Sequence, residues 1–385
     1  MLPVLSTLFF LAGIQGILLA ILLLSKKKNR PANTILSLGI LALSVDLFFV
    51  VYEVNEYFFQ YPHLLGLTFG LPFLYGPIFY LYTKFLVIPG SKLKAKDFIH
   101  LIPFSLIILY MLPSLLMSGE EKLRLVLSIF SGNHIDYIIL GHLKPLHGII
   151  YVVFTIKLIN LHNERIKESF SNIEKVNLIW LKNLFIGIIA VWCIVIITIV
   201  IDDFFQEFAF KYDLAIYFSI SVLIYGIGYM GLNQPEIFNQ EDALVTTKPN
   251  DTDRIETETA GYKKSGLSDS DAGEIANNLL NLFKDEKPYL DCELTLGRLA
   301  ETLNVSPHNL SEVINTKLKQ NFYDLVNSYR VEEVKRKLQS PEFDMYSILG
   351  IAYESGFNSK TSFNTIFKKY VGQTPSAYKK MNAKK

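Results

Sequence analysis

The chain has 385 residues, is half apolar, and carries a formal net charge of only +1. That average hides a split, because 31 of the first 231 residues are charged against 42 of the remaining 154. A first part so poor in charge excludes a single soluble globular enzyme, and two distant cysteines, Cys193 and Cys292, supply neither a disulfide framework nor a zinc cluster.

A bilayer core about 30 Å thick is crossed by about 20 mostly apolar residues in helical form. Residues 2–24 are such a run without a charge, followed at once by Lys26, Lys27, Lys28 and Arg30. A secretory signal has its positive charge before the apolar stretch, so this reads as a retained first span with its N-terminus outside. Six further runs, at about 35–52, 64–87, 98–117, 137–159, 178–201 and 214–232, predict a seven-helix transmembrane bundle over 1–232. Lys and Arg in the connections set its orientation. The odd connections hold ten, including Lys92, Lys94, Lys96, Arg165, Lys167 and Lys175; the even ones hold only Lys122, Arg124 and Lys211. The odd connections are therefore expected in the cytoplasm, and so is everything after the seventh span.

Ionisable residues inside spans are costly and mark candidate sites. Asp46 lies in the second run, and His142, Lys144 and His147 in the outer half of the fifth, beside Pro145. By depth, Asp46 matches Lys144 or His147. They form either a polar clamp between helices or one outward-facing signal site. The spacing of five between the two histidines leaves one helical face, which argues against a metal pair. Gly70, Pro72, Gly76 and Pro77 predict a kink in the third span.

Residues 233–267 are polar, contain Pro235, Pro249 and an acidic run, and read as a cytoplasmic linker. If flexible, its 35 residues have a root-mean-square reach of about 30–36 Å. A 1–2 Å helix shift, roughly the size of a typical interface shift, would be lost in that slack. Signalling by proximity or dimerisation is therefore expected over a rigid push.

Helical periodicity resumes near Ser268 and runs through Ile275, Leu279, Leu280 and Phe283. An internal repeat follows. Leu299-Ala300 and the residues to Val305 correspond to Ile351-Ala352 and the residues to Phe357, and Leu310, Val313 and Ile314 to Phe363, Ile366 and Phe367. Each unit reads as a helix-turn-helix, at about 296–317 and 348–371, whose small Ala300 or Ala352 lets two helices cross closely. Ser306 with Pro307, and Asn358 or Ser359, are N-terminal caps for the second helix of each unit. Their apolar stripes face inward at i, i+3, i+4 spacing. This leaves Ser306, His308, Asn309, Ser311, Glu312, Asn315 and Thr316 as the reading face of the first. On the second it leaves Ser359, Lys360, Thr361, Ser362, Asn364, Thr365, Lys368 and Lys369. Asn pairs with adenine, a Thr methyl meets thymine, and Lys holds guanine or phosphate. Between the units a helix from about Phe322 to Leu338, capped by Asn321, fixes the distance between two reading heads. Glu332/Arg336 and Glu333/Lys337 are its expected i,i+4 pairs. Gly372 ends the second recognition helix, and Thr374-Pro375 opens a last one. Residues 294–385 hold 14 basic and 8 acidic residues, a surface that phosphates attract.

The run from Gly356-Phe357-Asn358-Ser359-Lys360 to Phe363, then Phe367-Lys368-Lys369, Gly372, Thr374-Pro375 and Tyr378, resembles the signature of AraC/XylS-type transcription regulators. The upstream repeat and Asn327/Tyr329-Arg330-Val331 fit it too, so the likeness covers about 270–382. Typical members carry a soluble sugar-binding jelly roll, whereas this chain resembles a membrane-tethered subgroup with seven spans, joined through a segment like Tyr262–Leu267. The resemblance implies an all-α bacterial regulator of the inner membrane that binds promoter DNA through a domain at 268–382. Its expected partners are double-stranded DNA, membrane lipid and an unidentified small-molecule or membrane signal; RNA polymerase and a second copy in a homodimer are further candidates. No cofactor and no metal are implied. The rival reading is a membrane receptor or transporter whose helical repeat binds a protein. An enzyme is not expected, since no nucleophile elbow, zinc-protease motif or phosphate loop is present.

Overall fold

The computed structural model describes residues 2–27, 29–88, 91, 93–131, 133–174, 176–205, 209–233 and 267–382. Among these the secondary structure is helical, apart from an isolated β-bridge between Phe170 and Thr295. The chain divides into two compact units: Met1–Asn160 with Leu178–Glu236, and Leu161–Asn177 with Ile237–Lys385. Most of the expected linker, including Tyr262 to Gly266, lies outside the described residues, as do Lys28, Lys92 and Lys175.

The first unit is built from α1 (Leu2–Ser25), α2 (Arg30–Val54), α3 (Pro72–Val87), α4 (Ile102–Leu115), α5 (Gly119–Phe130), α6 (Ile135–Ser169), α7 (Ile179–Phe205) and α8 (Ala209–Asn233). The last turns of α6, from Leu161, belong to the second unit. Asn29, in the left-handed region, reverses the chain so that α1 and α2 pack together. They approach closely: a Cβ on Gly16 would sit 2.1 Å from Ser44 Oγ, and Ser37 Oγ donates to the Ala20 carbonyl at 3.1 Å. Small residues and hydroxyls of this kind permit tight helix contact in apolar surroundings.

Among the described residues, five helical stretches are long and apolar enough to cross a membrane: Pro3–Ser25, Arg30–Val54, Ala95–Leu115, Ile135–Ser169 and Ile179–Ile201. Seven were expected. The seventh run yields the shorter apolar stretch Ala215–Met230. The third, read as one kinked span over 64–87, yields only the 16-residue α3. Residues 65–71 are turns, because Gly66 adopts a φ of +83° and Pro72 can start a helix but lacks the N–H to continue one. The amphipathic α5 was not expected; Ser118 and Glu121 cap its start reciprocally, with Glu121 Oε2 accepting from the Ser118 N–H at 2.9 Å. Many large apolar side chains of this unit point outward, among them Leu11, Leu22, Leu109 and Ile197, each at least half exposed.

The second unit contains α9 (Asp269–Asp285), α10 (Leu296–Thr302), α11 (Pro307–Thr316), α12 (Phe322–Leu338), α13 (Ile348–Tyr353), α14 (Lys360–Val371) and α15 (Pro375–Asn382). Leu280, placed in the inward stripe of α9 by periodicity, is exposed; Ala272, Ala276, Leu279 and Phe283 are the buried positions. Two cores form. Leu299, Ala300, Leu310 and Ile314 pack with Phe322, Leu325 and Val326; Ile351, Ala352, Phe363 and Phe367 pack with Val331, Val334 and Leu338. The first half of α12 thus belongs to one core and the second half to the other.

Candidate nucleic-acid interface

Both recognition helices begin as their sequences require. Ser306 Oγ accepts from the Asn309 N–H and Ser359 Oγ from the Ser362 N–H, each at 3.1 Å, so Ser359 rather than Asn358 is the second cap. Leu310, Val313 and Ile314 are buried on α11, and Phe363, Ile366 and Phe367 on α14. Gly372, with a φ of +78°, ends α14.

The opposite faces differ. On α14, Lys360, Thr361, Asn364, Thr365 and Lys368 are exposed and Ser362 is half-buried. Lys369 is exposed too, but its Nζ lies 2.7 Å from Asp324 Oδ1 on α12. Burial would raise that carboxyl's pKa, but hydrogen bonds from Lys369 and Tyr370 outweigh it and hold Asp324 below its ordinary value. On α11, His308 and Thr316 are exposed, Ser306 is exposed at the cap, and Asn309, Ser311, Glu312 and Asn315 are half-buried. Asn315 Nδ2 donates to Glu168 Oε2 at 2.8 Å.

The helix between the two heads spans Phe322–Leu338, with Asn321 Oδ1 capping the Asp324 N–H at 2.8 Å. Of its two expected i,i+4 pairs, Glu333/Lys337 forms, whereas Arg336 pairs with Glu333 in place of Glu332. Arg336 bonds Glu333 at 2.6 Å and Lys335 bonds Glu332 at 2.7 Å, both at i,i+3, while Lys337 reaches Glu333 only at 3.9 Å. The reason is burial: Glu333 and Lys337 lie on the core side, and Lys337 Nζ donates instead to the Glu354 carbonyl at 2.7 Å. Arg330 is only 2 % exposed. Its Nε donates to the Tyr289 carbonyl at 2.8 Å, and Nη2 to the Asp291 carbonyl at 2.8 Å and Ser171 Oγ at 3.0 Å. Burial pulls its pKa down to about 10, so the guanidinium still carries its charge at neutral pH. Periodicity offers no hint of these partners, since Ser171 is 159 residues away.

In the first unit a cavity of about 790 Å³ is lined by Asp46, Tyr75, Lys144, Trp192 and Tyr217 among many apolar side chains. Tyr75 donates to Asp46 Oδ2 at 2.8 Å, and the Lys144 ammonium lies 3.5 Å from the centre of the Phe69 ring. Asp46 and Lys144 therefore share one cavity. His147 is packed against Phe73 and Tyr151, and His142 lies along a small separate apolar pocket with its Nδ1 2.8 Å from the Ile138 carbonyl oxygen. Tyr75 and Trp192 carry no charge to flag them within an apolar run. Among the described residues no cluster of His, Cys, Asp and Glu could hold a metal ion.

A family model described as a helix-turn-helix domain matches residues 299–381, which contain α11, α12 and α14. Residues 299–381 form an AraC-type helix-turn-helix domain. No curated protein and no solved structure matches the chain. An AraC-type domain supports binding to double-stranded DNA and a role in transcription regulation. Here that domain carries α11, α14 and the helix α12 between them.

Proposed function

We propose that the chain is a membrane-bound, one-component transcription regulator that reads promoter DNA through both helix-turn-helix units. The observation that carries the reading is the pair of capped recognition helices in an AraC-type domain, one of them presenting Lys360, Thr361, Asn364 and Lys368 to solvent. Lys360, Lys368 and Lys369 hold phosphate or guanine, and Thr361, Ser362, Asn364 and Thr365 read base edges. On the first unit the same work falls to Ser306, His308, Asn309, Ser311, Glu312 and Asn315. Mobility shift of the full-length chain in detergent with a mixed-sequence duplex tests this. Affinity should fall with salt at a slope of about −0.9 per phosphate neutralised. Absence of binding at low salt overturns the reading.

The same proposal places 1–232 in the bacterial inner membrane as seven spans, with the N-terminus outside and the DNA-binding domain in the cytoplasm. Support comes from the five qualifying helices, the outward apolar side chains and the Lys/Arg bias of the connections. The cavity holding Asp46 and Lys144 is the proposed signal site, fitted to a mainly apolar molecule with one or two polar groups. Asp46→Asn should abolish or shift induction at normal membrane levels; unaltered induction removes the site.

A further inference from the structure

The segment Leu161–Asn177 stands in sequence between α6 and α7, yet it folds as part of the DNA-binding unit. It is fastened there by backbone and buried polar bonds. Phe170 bridges Thr295 in antiparallel fashion, and the Ser171 N–H and Oγ both donate to the Leu294 carbonyl, at 3.3 and 2.7 Å. The Ser171 carbonyl accepts from Asn327 Nδ2 at 3.1 Å and Arg330 Nη1 at 3.3 Å. With its hydroxyl on Nη2, Ser171 supplies two acceptors to a buried guanidinium, which is costly to leave short of partners. The segment also braces itself, with His162 Nε2 3.0 Å from the Val176 carbonyl oxygen.

From this anchor two carboxylates extend, one to each recognition helix. Glu168 takes the side-chain amide of Asn315 on α11, and Glu174 accepts from the Ser359 hydroxyl that caps α14. We propose that Leu161–Asn177 is an autoinhibitory clasp that engages Asn315 of α11 and the Ser359 cap of α14, one residue of each reading face, until it is displaced. This rests on the DNA-binding reading above. A carboxylate on Asn315 removes the donor that would pair with adenine. A carboxylate at the start of α14 occupies the electropositive end of a helix, where a phosphate oxygen would sit. Each acid repels a duplex backbone brought up to the residue it bonds, so DNA and clasp compete. The clasp also supplies a route for the signal. It is covalently continuous with the apolar helices before and after it, so a change in either reaches the reading heads without crossing the 233–267 linker. That route bypasses the slack that favours signalling by proximity.

The test uses the full-length chain in detergent and a fluorescent mixed-sequence duplex. Glu168→Gln with Glu174→Gln removes both charges and keeps the shape. It should bind on the order of tenfold more tightly, with a salt slope steeper by about one to two units as released contacts reach phosphate. Glu164→Gln, on the same segment but paired with Lys167, should match the wild type. Affinity and slope unchanged in the double variant would overturn the proposal. A second readout needs no variant: hydrogen exchange at the Ser171 amide of the wild type should accelerate when DNA saturates the protein. Full protection with DNA bound would make the segment a fixed scaffold and overturn the clasp. No binding by either protein is a different result, since it defeats the DNA-binding reading itself.

Discussion

The two helix-turn-helix units share one backbone plan and differ in what surrounds it. Asn304 and Gly356 occupy the same place in the repeat, in the turn before the recognition helix, and both have positive φ, at +53° and +90°. Asn tolerates that region because its short side chain bonds locally. At 356 it could not, since even a Cβ would lie 2.3 Å from the Tyr289 carbonyl oxygen and 2.9 Å from Arg330 Nε. In the first turn Asn304 is exposed, although Leu303 and Val305 on either side of it pack against the core. The second is packed against the buried arginine that ties α12 to the residues after α9. The turn of the first unit therefore keeps its left-handed residue at the surface, while that of the second is built into the packing around Arg330.

Exchanging those two residues is the severest way to break the comparison. Gly356→Asn combines backbone strain with displacement of a buried charged hydrogen bond, and should cost on the order of 3 kcal/mol or more in thermal or urea unfolding. Asn304→Gly should change stability by a few tenths of a kcal/mol. Similar losses from both would mean that the packing around Gly356 is not what distinguishes the units.

Charge gives the second test. Residues 307–316 contain no Lys or Arg, whereas α14 has three. Lys368→Ala should weaken binding to all duplexes and lower the salt slope by about one unit. Thr361→Ala should instead relax preference at one base position by about 1–3 kcal/mol, read by competition between duplexes. If neither variant alters affinity, slope or preference, the exposed face of α14 is not the reading face.

The smallest effect concerns how each recognition helix is tied down at its C-terminal end. Lys317, just after α11, pairs with the fully exposed Asp269, and Lys369 on α14 pairs with the half-buried Asp324. Both carboxyls sit below the ordinary 3.8, Asp324 against the opposing effect of burial through Lys369 and Tyr370, and Asp269 through Lys317. A depressed carboxyl pKa stabilises the fold above the unfolded value and loses that contribution as pH falls through the folded one. The acid limb of the melting curve, below about pH 4, should flatten in Asp324→Asn, which is also less stable at neutral pH. Asp269→Asn should leave both unchanged, because water and salt screen an exposed pair.

Much of the second unit was legible because its signals are local. Ser306, Asn321 and Gly372 mark helix ends through their own backbone preferences, and the i, i+3, i+4 stripes of α11 and α14 need only a dozen residues to declare themselves. The third apolar run was less legible. Hydropathy averages over Gly66, Gly70 and Pro72 and cannot show that the helix starts only at Pro72. Asp46 and Lys144 were matched by depth alone; the hydroxyl that bonds Asp46, from Tyr75, carries no mark in a hydrophobic stretch.

By itself the sequence determined the helices of the DNA-binding domain, their caps and their inward stripes, since each depends on residues within one or two turns of one another. It also determined that the first part is apolar enough to need surroundings other than water. Tertiary structure alone decided that Arg330 is buried, that α12 is shared between two cores, and that Ser171, Glu168 and Glu174 meet Arg330, Asn315 and Ser359. Those partners lie from 147 to 185 residues apart. A contact at such separation depends on how distant elements pack, and packing leaves no period in the chain.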